Sequence, residues 1–85
     1  MRAGMLWFDD RNAPLPDKLE RAAEHYQAKY GARPTLCYIH PTMAHLAGLH
    51  GNAIINRIQV KANDIVLLNH LWIGMAQEPS PEEAA

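Results

Sequence analysis

The chain has a single cysteine, Cys37, among its 85 residues. No internal disulfide can staple it, and a lone thiol suits a reducing compartment, so a cytoplasmic protein is expected. Long apolar runs are also missing. Ile65–Leu68 is as long as any, far below the ~20 residues of a membrane-spanning helix. The start, MRAGMLWFDD, turns acidic after a few apolar positions and does not read as a secretory signal. Charge of one sign is scarce as well. The formal net charge is −1, and with Glu78, Glu82 and Glu83 of the terminal QEPSPEEAA set aside, eight basic side chains face six acidic ones. So small an excess argues against nucleic acid as a partner, which calls for a concentrated basic stripe. Arg57 and Lys61, on one face of a predicted strand, make a solvated edge instead. There is no internal repeat and no second cysteine or HExxH pair of the kind zinc sites use.

What is present describes one α/β domain, expected over residues 1–76, with a disordered acidic tail at 77–85. The strand signals begin with MLWFD, placing a strand at 5–9. RNAPLPD then leaves the sheet, and Pro16 suits a first helical turn because its missing N–H has no partner there. Leu15, Leu19, Ala22, Ala23, Tyr26 and Tyr30 form one stripe of a 3.6-residue repeat. With Gly31 and Pro34 as stop signals, they predict a main helix at 16–30. TLCYIH, between two prolines, predicts a strand at 35–40 that runs parallel to the first in one sheet. PTMAHLAGLHG predicts a short helix at 42–49. Alternation in AIINRIQVK and the apolar IVLLNHLWIGM, separated by KAND, predict a β-hairpin of 53–61 with 65–74. The whole reads as a small two-layer α+β sandwich.

Such an inventory leaves one sheet face short of cover. Each large apolar side chain left in water forgoes about 1.5–3 kcal/mol of burial, so self-association, as a dimer, is the economical expectation. A homo-oligomeric interaction module, or a subunit of a larger assembly, without catalysis of its own is therefore the leading functional expectation. Trp72, His70, Leu68 and Val66 of the last strand are its interface candidates, Trp being a favoured anchor. The polar pair Asn69 and His70 interrupts that strand and calls for hydrogen-bond partners, a bulge or a pocket.

The histidine-rich stretch does not converge on a metal. Cys37 and His40 point to opposite sides of a strand, and His45 and His50 stand five apart, where a shared helical ligand face needs four. Cys37 in an apolar strand reads as a small core residue rather than a nucleophile. Topology gives a better chemical candidate. At the carboxyl end of two parallel strands, Asp9, Asp10, His40 and Thr42 leave together, where open α/β sheets favour ligands. Two carboxylates and a histidine suit a divalent ion or acid–base hydrolysis. The plainer alternative has Asp9 and Asp10 capping a loop or pairing with Arg11. No other cofactor is expected.

Overall fold

The computed structural model describes residues 4–76, so the acidic tail expected at 77–85 lies outside the described residues. Seven elements follow in order: β1 (Gly4–Phe8), α1 (Leu15–Tyr30), β2 (Leu36–Ile39), α2 (Pro41–Leu46), β3 (Ala53–Ile55), β4 (Ile58–Ala62) and β5 (His70–Gly74). The strands form one mixed five-stranded sheet in the order β1-β5-β2-β4-β3. The two-layer α/β architecture is the expected one.

α1 is built as its stripe requires. Leu15, Leu19, Ala22, Ala23 and Tyr26 are buried, while Tyr30 at the far end is 41% exposed. Gly31 closes the helix at φ 78°, and its N–H donates to the Gln27 carbonyl at 2.8 Å, a left-handed stop that glycine adopts without a Cβ clash. The buried stripe meets Leu71 and Ile73 of β5, Cys37 and Ile39 of β2, and Ile58 and Val60 of β4. Met5 and Trp7 of β1 pack against the margin of this core. α2 is shorter than expected because Gly48, at φ 76°, turns the chain away after Leu46.

The sheet differs from the expected one in two ways. β1 and β2 do run in the same direction, since each pairs antiparallel with β5, but β5 is inserted between them. The expected 53–61/65–74 hairpin is replaced by a tighter one, β3 with β4, in the register Ile55↔Ile58. Its two-residue turn is Asn56–Arg57, both at positive φ (54° and 66°), the mirror-image geometry that matches strand twist. Beyond β4, Asn63 closes a local turn by accepting from the Ile65 N–H at 2.9 Å, and residues 63–69 carry the chain across the end of β2. β5 therefore starts at His70 rather than at 65. The physical reason is the neighbour: β2 already occupies the edge of β4 that β5 would need, in the parallel register Cys37↔Val60.

Arg57 thus sits in a turn, not on a strand face beside Lys61. A side chain other than glycine or asparagine in the left-handed region costs roughly 1–2 kcal/mol. Arg57→Gly is expected to raise the unfolding free energy by up to about 1 kcal/mol, glycine's greater unfolded-state entropy offsetting part of the relief. Denaturant unfolding monitored by tryptophan fluorescence checks this.

Candidate functional site

Alternation fixes what each sheet face carries. With Met5, Trp7, Leu71, Ile73, Cys37, Ile39, Ile58 and Val60 turned to α1, the odd–even partners turn the other way. The pairing registers then lay out two rows on the open face. One row runs Leu6, Trp72, Tyr38, Lys61, and the other Gly4, Gly74, Leu36, Gln59, Ile54. Phe8 stands beside His70, with ring centroids 5.0 Å apart. Leu6 is 58% exposed, Phe8 57% and Ile54 73%.

Trp72 is the centre of this surface, and two glycines make room for it. A Cβ on Gly4 would collide with the Trp72 indole, and one on Gly74 would lie 2.7 Å from it. The indole lies over both glycines and meets the Tyr38 ring at 5.6 Å between centroids. Of the other expected interface residues, His70 lies on this face with its ring Nδ1 2.9 Å from the Leu68 carbonyl. That oxygen only accepts, so Nδ1 carries the proton. Leu68 (50% exposed) and Val66 (9%) belong to the 63–69 loop, where Val66 is buried and Leu68 is open.

The strand-end cluster is differently disposed. β1 and β2 end on the same side, but with β5 between them Asp9 and His40 leave the sheet two strand spacings, about 10 Å, apart. Asp9 is buried at 5% exposure. Its carboxylate accepts from the Arg11 backbone N–H at 3.0 Å, from Nε at 2.9 Å and from Nη2 at 2.8 Å. The guanidinium hydrogen bond, above all, holds its pKa below the ordinary 3.8, against the opposing effect of burial. His40 is the N-cap of α2: its Nδ1 accepts the Thr42 N–H at 3.0 Å. Asp10 is exposed. His45 and His50 are also exposed, and no group of three or more His, Cys, Asp or Glu able to hold a metal occurs among the described residues. Cys37 is fully buried, and burial pushes its thiol up to about 12. A thiolate nucleophile is not available from such a site at neutral pH.

A half-open groove of about 530 Å³ lies near this end, between the start of α1 and α2. Arg11, Lys18, Met43, Leu46, Ile55 and Asn69 are among its walls, whereas Asp9, Asp10, His40 and Thr42 do not line it. Asn69, at φ 63°, is tied down at both backbone groups: its N–H donates to Met43 Sδ at 3.2 Å and its carbonyl accepts from Asp9 N–H at 2.8 Å. The sequence flagged Trp72 and His70 but not Leu6 or the two glycines, and it left open whether Trp7 or Phe8, and Cys37 with Ile39 or Leu36 with Tyr38, belong to this face. The available signal was Gly74 two residues after Trp72, a spacing that puts a residue without a Cβ on the face of the indole.

No family model, curated protein or solved structure gives a significant match to the chain.

The Asp9–Arg11 pair has a pH signature. A carboxylate whose folded pKa is depressed stabilises fully above its unfolded value and loses that contribution as pH falls through the folded pKa. Asp9→Asn is expected to cost about 1–3 kcal/mol at neutral pH, with the gap from wild type closing as pH drops below 3.8. Denaturant unfolding of both proteins along an acid series measures that gap.

Proposed function

We propose that this domain is a self-associating interaction module whose working surface is the open sheet face, its occupant a second copy of the chain. The observation that carries the reading is the exposure of Leu6 and Phe8 beside Trp72 and Tyr38 on a face that neither helix covers. Size is in keeping with it. Strands about 4.8 Å apart and about 17 Å long give five of them a footprint on the order of 400 Å². Side-chain relief raises the accessible area above that footprint, toward the ~800 Å² per partner of a standard interface. Chemistry agrees too: Lys61 is the one charged side chain in the two rows, so two such faces meet with little charge to desolvate. A cytoplasmic setting fits the lone buried thiol.

A hydrolytic or metal-dependent site at the strand end has weaker support. Both carboxylate oxygens of Asp9 are held by Arg11, and His40 Nδ1 is taken by the α2 cap.

The experiment is size-exclusion chromatography with light scattering at micromolar concentration. The wild-type chain is expected at the mass of two or more copies. Leu6→Ser with Phe8→Ser removes about 1.5–3 kcal/mol of burial per side chain and is expected to weaken association by roughly a hundredfold or more. A wild-type monomer at that concentration, whether or not it retains single-stranded nucleic acid through Trp72 and Lys61, would overturn the proposal.

A further inference from the structure

The outer edge of β1 is open, and its hydrogen-bonding groups can be assigned. The Asp9 N–H donates to the Asn69 carbonyl at 2.8 Å, which sets the parity of the β1–β5 ladder, so its exchanging pairs are Trp7↔Leu71 and Met5↔Ile73. The backbone N–H and C=O groups of Gly4, Leu6 and Phe8 therefore point away from the sheet. Among the described residues only one contact reaches them, the Tyr30 hydroxyl at 3.5 Å from the Gly4 carbonyl. β1, GMLWF, has no proline and no charged side chain, the usual guards of an edge strand. β3, at the opposite edge, has only three residues.

We infer that a second copy of the chain pairs with this edge, β1 against β1 in antiparallel register, with Leu6 of each copy opposite Phe8 of the other. The inference rests on the self-association proposed above and adds to the face contact a second one at its margin, since edge pairing sets the two open faces side by side without covering them. In this register Leu6 and Phe8 exchange both backbone hydrogen bonds across the two-fold axis, and the Tyr30–Gly4 contact is left intact. The side chains agree with the backbone, because Leu6 and Phe8 share the open face and become cross-strand neighbours. Trp7 lies on the axis; its indole N–H is buried without a partner among the described residues.

The layers clear one another. β5 and its copy would be three strand spacings apart, about 14 Å. The helices packed over them need only about 8–10 Å between axes. The product is a continuous ten-stranded sheet that joins the two open faces into one, with Trp72 and Tyr38 of both copies on it.

Two measurements on the full chain test the geometry. Leu6→Pro deletes an outward N–H and leaves the β1–β5 ladder whole, a position where an edge strand accepts proline. By light scattering it is expected to weaken association at least tenfold beyond Leu6→Ala, which controls for the side chain. In the second, Leu6→Cys with Phe8→Cys places thiols at hydrogen-bonded partners about 5.5 Å apart between Cα atoms, within disulfide reach. Mild oxidation is expected to give a covalent dimer from this double variant and little from either single one. Wild-type dimers that ignore Leu6→Pro and are not trapped by the double variant would overturn the edge geometry while leaving self-association standing. Trapping by Leu6→Cys alone would overturn the register. A wild-type monomer with no trapping would overturn both.

Discussion

One sixteen-residue helix must cover a five-stranded sheet, and it can cover only one of its faces. That constraint governs the molecule. The stripe Leu15, Leu19, Ala22, Ala23 and Tyr26 fills the helix side, small at its centre so that the backbone of α1 can approach β5. Every strand then splits by alternation into a residue for the core and a residue for the other side. Neither helix is left to shield that second side, where Leu36 alone of the large side chains is buried, at 7% exposure. Its most bulky member, Trp72, is accommodated by removing Cβ atoms from Gly4 and Gly74 beneath it. The result is a low, aromatic surface with exposed Leu6 and Phe8 along one margin.

The polar groups at the strand ends serve a different purpose. Inserting β5 between β1 and β2 forces a crossing loop over the end of the sheet, and its backbone groups need partners. Asn69 is satisfied by Asp9 and Met43, Asn63 by Ile39 and Ile65, and His40 caps α2. Asp9 holds Arg11, and Lys18 reaches the Asp9 carbonyl at 3.2 Å. These side chains are reactive types used as fasteners. Their pattern in the sequence resembles chemistry because capping and acid–base work draw on the same atoms.

The helix was legible because its period repeats over four turns and its stop signals are explicit. The strands were legible as apolar runs, and so was the shortage of cover on one face. Pairing order was not. Asn63 and Asp64 carry the composition of a hairpin turn, yet the true turn is Asn56–Arg57, where arginine occupies a left-handed position that composition does not announce. The cofacial set also escaped, because in MLWF either parity gives an apolar face. Only the pairing of Met5 and Trp7 with the helix-side core decides that Leu6 and Phe8 are outside. Val66 shows the same ambiguity from the other direction, since an apolar residue expected at an interface is buried within its own loop.

The central claim is that the margin of the open sheet at β1 is completed by another copy. Residue-resolved amide hydrogen exchange at several protein concentrations tests it most directly. Leu6 and Phe8 amides, which point out of the sheet edge, are expected to exchange slowly at high concentration and to quicken on dilution. Met5 and Trp7 amides, already bonded to β5, are expected to stay protected throughout. Fast exchange of Leu6 and Phe8 at every concentration would contradict the account.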